Sequence, residues 1–287
     1  MKKILLILNP NSGRGLGKQY LPTIKKFFKN QNLDTFLTKK AKDATNKAKA
    51  NKNKYNIIIA AGGDGTINEV VNGLIGGKAS LAIIPIGTAN ALASQFNIPT
   101  DVHEACKLIL KKKPKKVDIG KANNHYFLQS CGVGFDSKVI SDVNTKYKQK
   151  TGKLLFYLNI IKNLFRYDLP KLRIIVDNKV TNGYTAIIMN SKYYAGNFII
   201  APKAKIDDGI LNIIVIEKNS PLLIIQAVLG GHLFGKLLDF DDFSHYTGKN
   251  IKIQSIEKKS FIQTDGELIG IAPVEVKVLN KKLSVIY

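Results

Sequence analysis

The sequence predicts an α/β domain built on a parallel sheet, followed by a mainly antiparallel β domain. Three observations carry this. Continuous apolar runs alternate with helical patterns over the first 118 residues, and short strand-like runs at close spacing fill the remainder. A lysine-rich stretch holding a proline, KKKPKK at 111–116, separates the two textures and reads as a hinge. The expected division is 1–118 and 119–287, with the last strand free to return to the first domain. A chain of 287 residues exceeds one usual domain, and a hydrophobic content of 45% suffices for two cores.

The first half contains the runs Ile4 to Leu8, Ile57 to Ala61 and Leu81 to Ile84, unalternated and rich in β-branched residues. Such runs are strands buried on both faces, as in a parallel sheet covered by helices. The helical patterns between and after them include KQYLPTIKKFFKN and DVHEACKLILKKK. Each strand ends in a polar or glycine-rich turn: NPNSGRG, GGDGT and PIGTAN. In open α/β sheets ligands bind at the carboxyl ends of strands, so these three loops should converge on one site. The second half reads as the strands HYFLQSCGVGF, LRIIVD, GYTAIIMNS, NFIIAP, ILNIIVI, NIKIQSI, SFIQTDGE, VEVKVL and KLSVIY. Two helical segments interrupt them, GKLLFYLNIIKNLFRYD and SPLLIIQAVLGGHLFGKLLDF.

Composition narrows the chemistry. With 44 Lys+Arg against 21 Asp+Glu, the formal charge of +23 predicts attraction to a polyanion: a nucleotide, a nucleic acid or an anionic membrane surface. Cys106 and Cys131 are the only cysteines, too few for a disulfide framework, and a reducing cytoplasm fits. Cys131 reads as a small core residue. His103, His125, His232 and His245 lack metal-ligand spacing and receive no catalytic role. The apolar run ILLIL is too short for a secretory core, and PLLIIQAVLGG falls short of the roughly 20 residues that span a bilayer.

The stretch IIIAAGGDGTINEVVNGL joins a strand to a helix through two glycines and a carboxylate. Gly62 and Gly63 leave main-chain N–H groups open to phosphate oxygens. Thr66 and Glu69 stand in the spacing of a capping box, with Thr66 as N-cap, and the helix start favours an anion. Asp64 would repel a phosphate unless a cation lies between them, so it implies Mg²⁺ or a water held by it.

GGDGTINEVVNGL resembles the nucleotide-binding signature of the diacylglycerol kinase catalytic-domain family, which includes sphingosine and ceramide kinases. NAD kinases and 6-phosphofructokinases share the GGDG core. Specificity comes from six motifs in order: NPNSGRG at 9–15, GGDGTINE at 62–69, PIGTANALA at 85–93, GVGFDS at 132–137, APKAKIDDGIL at 201–211 and TDGE at 264–267. The resemblance implies an NAD kinase-like or phosphofructokinase-like first domain, a β-sandwich second domain, and an active site in the interdomain cleft. It implies ATP held by Asn9, Pro10, Asn11, Thr38, the phosphate loop Gly62, Gly63, Asp64, Gly65, Thr66, Asn68 and Glu69, and the second loop Gly87, Thr88 and Asn90. Asp208 looks like the ligand of a structural Mg²⁺, helped by carbonyls at Lys205 and Ile210, with Asp207 beside it. One departure is Ala91, where many members carry Asp.

Phosphoryl transfer to an alcohol needs alignment, charge neutralisation and a base for the hydroxyl proton. TDGE resembles the segment that carries the catalytic carboxylate. Gly266 allows a tight bend there, and Asp265 is favoured as base, with Glu267 as the alternative. The acceptor is expected to be a lipid alcohol, diacylglycerol first, giving phosphatidate. Leu154, Leu155, Leu158, Ile161 and Phe165 form one helical face flanked by Lys153, Lys162 and Arg166, either core packing or a lipid entry. The lysine excess then suits peripheral contact with an anionic membrane, and no nucleic-acid motif is present. Two alternatives stand beside this. An NAD kinase tends to place its Asn-Glu pair well downstream, whereas Asn68 and Glu69 directly follow GGDGT here. A lapsed kinase could survive as a nucleotide-regulated binding protein.

Overall fold

The structure is a computed structural model that describes residues 2–142, 169–194, 198–220 and 243–287. The two long helical segments expected after residue 150, with the proposed lipid-entry face, lie outside the described residues. The chain divides into two compact units, Met1–Ile119 with Asn280–Tyr287, and Gly120–Leu279.

The first unit runs β1 (Lys3–Leu8), a 3₁₀ turn (Gly17–Tyr20), α1 (Leu21–Phe27), β2 (Asn32–Leu37), α2 (Asp43–Asn51), β3 (Ile57–Gly62), α3 (Asp64–Leu74), β4 (Ser80–Pro85), α4 (Ala91–Gln95) and α5 (Val102–Lys111). β5 (Pro114–Ala122) begins here and continues into the second unit. The stretch expected as a hinge is therefore a helix end and a strand start. Pro114 opens β5, a position where a missing N–H costs no ladder bond.

β1 pairs in parallel with β2 and β3, and β3 with β4, in the order β2-β1-β3-β4. β3 and β4 are buried along their whole length, as their unalternated apolar sequences require. β2 is the polar edge, and its NLDTFL sequence stays largely exposed. Residues 280–286 belong to the last strand of the chain and complete this unit, pairing in parallel with β4 at Val285↔Leu81. Their docking is fixed by Lys281, whose main chain donates to Asp118 Oδ1 at 2.7 Å, and by Tyr287, whose ring lies 4.9 Å from that of Phe96.

The second unit continues with β6 (His125–Phe127), β7 (Ser130–Val133), α6 (Phe135–Asp142), β8 (Leu172–Val176), β9 (Lys179–Gly183), β10 (Thr185–Met189), β11 (Tyr193–Tyr194) and β12 (Phe198–Ile199). β13 (Leu211–Ile216), β14 (Phe243–Gly248), β15 (Asn250–Ser255), β16 (Phe261–Thr264), β17 (Glu267–Ile271) and β18 (Val274–Ile286) complete it, β18 running on into the first unit. The strand pairs of its two layers described below are antiparallel. One sheet has the order β14-β13-β10-β7-β16-β17. The other layer pairs β15 with β8, β8 with β9, and β15 with the first residues of β18. A single apolar cluster lies between the layers, drawing Cys131, Val133, Ile188, Ile213 and Ile262 from one and Ile174, Ile251, Ile253, Val274 and Val276 from the other. This is an antiparallel β-sandwich with an apolar core.

Candidate active site

The strand order of the first unit reverses at β1, because the chain moves from β1 outward to β2 and then returns to place β3 on the other side. Ligands bind outside the carboxyl ends of strands at such a switch point. Two of the three sequence-predicted loops flank it, and the third follows β4 next door.

Side chains tie these loops together. Asn9 Nδ2 donates to Thr66 Oγ1 at 3.1 Å, and the main chain of Asn11 donates to Asn9 Oδ1 at 3.0 Å. Gly63 N–H donates to Ser12 Oγ at 3.3 Å, joining the first loop to the second. The second is joined to the third by Asp64, whose Oδ1 accepts the main-chain N–H of Leu92 at 3.0 Å. Within the third, Asn90 holds a left-handed conformation with φ 50°. Its Oδ1 accepts from Gly87 N at 2.8 Å and its Nδ2 donates to Gly87 O at 3.0 Å, closing a ring.

The glycines are explained by approach distances. A Cβ on Gly87 would stand 2.6 Å from Gly63 Cα and 2.7 Å from Asn90 Oδ1, so the second and third loops touch main chain to main chain. A Cβ on Gly62 would lie 2.7 Å from Thr66 Oγ1. α3 opens at Gly63 with extended backbone, and no side chain caps it. Its first-turn N–H groups form a positive, donor-rich end beside the switch point, suited to an anion.

Several expected residues have different tasks. The capping box does not form, since α3 begins at Asp64, two residues before Thr66. Thr66 instead holds Asn9. Glu69 reaches sideways to α2, where Oε1 accepts from Lys42 N at 3.0 Å and Oε2 from Ala44 N at 3.1 Å. Its carboxylate caps a neighbouring helix rather than its own. Asn68 is buried and accepts from Asn72 one turn along α3. The main chain of Thr38 extends the β1–β2 ladder by donating to Leu8 O at 3.0 Å. Asn11, Gly65 and Thr88 are exposed, and Pro10 is half-buried.

In the second unit Asp265 and Gly266 form the two-residue turn between β16 and β17, with Thr264↔Glu267 closing it. Both have positive φ, 47° and 83°, the backbone of a type I′ hairpin. Asp265 is far from a bare turn residue. Its Oδ2 accepts from Leu128 N at 2.8 Å, and its Oδ1 accepts from Gln129 N and Ser130 N, both at 2.9 Å. The carboxylate clamps the segment before β7, and Asp265 N returns a bond to Ser130 O at 3.0 Å. Glu267 stands exposed at the start of β17.

Asp207 and Asp208 are exposed in the turn before β13, and Asp208 Oδ1 accepts from Ile210 N at 3.0 Å. Among the described residues no three His, Cys, Asp or Glu side chains gather into a metal cluster. A cation in this turn would rely on Asp208 and main-chain carbonyls, an all-oxygen set that fits a hard ion such as Mg²⁺. The thiols are inert. Burial drives Cys131 well above its ordinary pKa and Cys106 to about 12, so neither is a nucleophile at neutral pH.

Sequence reasoning missed Ser12, although it lies inside NPNSGRG, and passed over Asp136 inside GVGFDS and Gln263 just before TDGE. The only available signal was their place within motifs already singled out.

Comparison with known proteins agrees with this architecture. Residues 3–122 match the family model of the diacylglycerol kinase catalytic domain, and residues 129–287 that of the YegS C-terminal NAD kinase beta sandwich-like domain. The chain is 32% identical over 301 residues to a diacylglycerol kinase of Bacillus subtilis (strain 168), covering 100% of this chain and 96% of that protein. It is 33% identical over 297 residues to one of Staphylococcus aureus (strain Newman), covering 99% and 92%. A crystal structure of a diacylglycerol kinase from Bacillus anthracis str. Sterne superposes with a TM-score of 0.76 at 28% identity, covering 100% of this chain and 97% of that one. Yeast NADH kinase complexed with NADH has a TM-score of 0.54 at 11% identity, covering 99% of this chain and 82% of that one, and shares the fold alone. With relatives this similar along its whole length and both halves matched by family models, the chain belongs to the diacylglycerol kinase family.

Proposed function

We propose that this protein transfers the γ-phosphate of ATP to the hydroxyl of a lipid, with diacylglycerol as the substrate and phosphatidate as the product. The observation that supports it most is the three braced loops at the β1/β3 switch point, meeting the uncapped end of α3, in a chain whose relatives are diacylglycerol kinases. Asn9, Ser12, Thr66 and Asn90 hold the loops in one arrangement, with the N–H groups of Gly63 and Gly87 spent on Ser12 and Asn90, and Gly62 and Gly87 let the loops pack closely, so the donors left for phosphates are those of the open first turn of α3. Magnesium, when bound, neutralises charge on the transferring phosphate. Asp64 stands at the first position of α3, its Oδ1 oriented by Leu92 N–H, and would supply the carboxylate for this task. Asp208, with carbonyls of Lys205 and Ile210 and with Asp207 alongside, would hold a structural Mg²⁺.

The proton of the lipid hydroxyl goes to a carboxylate of the Asp265–Glu267 turn. Asp265 is held by three main-chain donors and Glu267 is solvent-exposed, so the turn offers two acids in different surroundings. The charge of +23 favours approach to an anionic bilayer from the water side. Among the described residues no helix is long and apolar enough to cross a membrane.

The test is direct. Pure protein, radiolabelled ATP and Mg²⁺ are incubated with diacylglycerol, monoacylglycerol, a sphingoid base and a polyprenol in anionic micelles. Label is expected in phosphatidate, and chelation by EDTA is expected to abolish it. Label in none of the lipids would overturn the reading, and turnover of NAD in the same assay would replace it.

A further inference from the structure

The activity proposed above gives Asp136 no task, yet the fold goes to some length to place it. Asp136 is the second residue of α6 and sits over β7, where a Cβ on Gly132 would lie 1.8 Å from Asp136 Oδ2. Only glycine at 132 leaves room for that carboxylate. Oδ2 accepts from Gln263 Nε2 and from the Tyr194 hydroxyl, each at 3.0 Å, and Ser137 Oγ lies 3.2 Å from Oδ1. Among the described residues no cation pairs with it. Burial raises its pKa while the bonds from Gln263 and Tyr194 act in the opposite direction. A partly buried, unpaired acid is costly, so it is kept for what it holds.

What it holds is Gln263, which is 1% exposed. A side-chain amide has one accepting end and one donating end. The accepting end is taken, because Gly266 N–H donates to Gln263 Oε1 at 2.8 Å. The donating end therefore needs an acceptor, and Asp136 supplies it. Remove that acceptor and the amide is free to tilt or flip, releasing the main chain between Asp265 and Glu267.

We infer that Asp136 is a positioning residue: through Gln263 it holds Gly266 N–H and so fixes the turn that presents Asp265 and Glu267. This rests on the reading that the turn serves phosphoryl transfer. Asparagine at 136 preserves the bonds from Gln263 and Tyr194. Its single oxygen takes the place of Oδ2, and its amide faces Ser137 Oγ, whose own hydrogen goes to Gly132 O at 2.8 Å. Leucine preserves none.

The experiment compares wild type, Asp136→Asn and Asp136→Leu by amide hydrogen exchange and by kinetics. Gly266 N–H should exchange about tenfold faster in Asp136→Leu, the loss of one net hydrogen bond, and at the wild-type rate in Asp136→Asn. Ile213 N–H, in the centre of the sandwich, should not change and reports global stability. On diacylglycerol, kcat should fall at least about tenfold in Asp136→Leu with KM for ATP unchanged, and return in Asp136→Asn. If Asp136→Leu does not fold, Gln263→Glu takes its place, since it keeps the acceptor for Gly266 but sets a second carboxylate against Asp136. Unchanged Gly266 exchange overturns the inference, as does an unchanged kcat in an active enzyme. A wild type that phosphorylates no lipid while Gly266 responds as expected leaves the positioning role standing and removes the proposed reaction instead.

Discussion

Replacing Asp265 with asparagine is expected to lower unfolding stability by about 2 kcal/mol and kcat by roughly a hundredfold. The two losses have separate origins. The Asp265 carboxylate accepts three main-chain N–H groups, from Leu128, Gln129 and Ser130. An asparagine oxygen can serve the two on one side, but its amide then confronts the third with donor against donor. One main-chain N–H in a part-buried position loses its partner, the kind of loss that costs more than the bond itself contributed. The loss in turnover follows if the same carboxylate takes the hydroxyl proton. Glu267→Gln isolates the second effect, because Glu267 is exposed and its change should leave stability within about 0.5 kcal/mol. Urea titration with initial rates on diacylglycerol micelles measures both quantities for both variants. An Asp265→Asn protein as stable as wild type would show that the clamp contributes nothing. A Glu267→Gln protein that is stable and inactive would transfer the role of base to Glu267.

The second large effect is expected at the nucleotide loops. Gly87→Ala drives a methyl group to within 2.6 Å of Gly63 Cα and 2.7 Å of Asn90 Oδ1. The first neighbour is main chain and the second belongs to a short side chain tied back to Gly87 by two hydrogen bonds, so the third loop must move away from the second. Displacements near 1 Å at a reacting site can cost about a hundredfold in rate, so turnover should fall by that order and ATP affinity should fall with it. Gly63→Ala is the informative partner. Its Cβ would meet Gly87 Cα at 3.4 Å, an ordinary contact, and its backbone, φ −86° and ψ −179°, suits any residue. The free protein should therefore tolerate Gly63→Ala with little loss of melting temperature, while ATP binding weakens because the methyl group occupies space meant for phosphate oxygens. Calorimetric titration with a non-hydrolysable ATP analogue, beside thermal melts, distinguishes the variants. If Gly63→Ala binds as wild type does, phosphates do not approach the main chain there.

Much of this fold was legible because burial on both faces leaves a plain trace. β1, β3 and β4 carry unbroken apolar runs, and the glycine-rich turns after them mark the ligand end of the sheet. The DG turn before Glu267 was equally readable, since positive φ at two successive residues selects few sequences. β2 and α2 were not singled out, for the opposite reason. β2 is an exposed edge strand, and α2 buries only Ala44 and Ala48, so neither shows a strong period. The roles of Glu69 and Asp265 were hidden for a different cause. Sequence spacing can suggest that a carboxylate caps its own helix or bends its own turn, but the partners chosen here are Lys42, Ala44 and Leu128 to Ser130, distant in the chain. The same holds for Asp136 and Gln263, 127 positions apart and joined only by folding.

Val285 pairs with Leu81 of β4 across more than 200 positions of sequence, and Ser80 Oγ reaches Ser284 Oγ at 3.2 Å. As the polypeptide emerges from the ribosome, the flank of β4 that will receive this segment has nothing to bond with until everything in between has been translated. An open parallel flank invites wrong partners. The N-terminal unit therefore keeps that flank of β4 unpaired until the last residues are translated, and excising residues 1–119 for independent expression is expected to leave the same side of the sheet open.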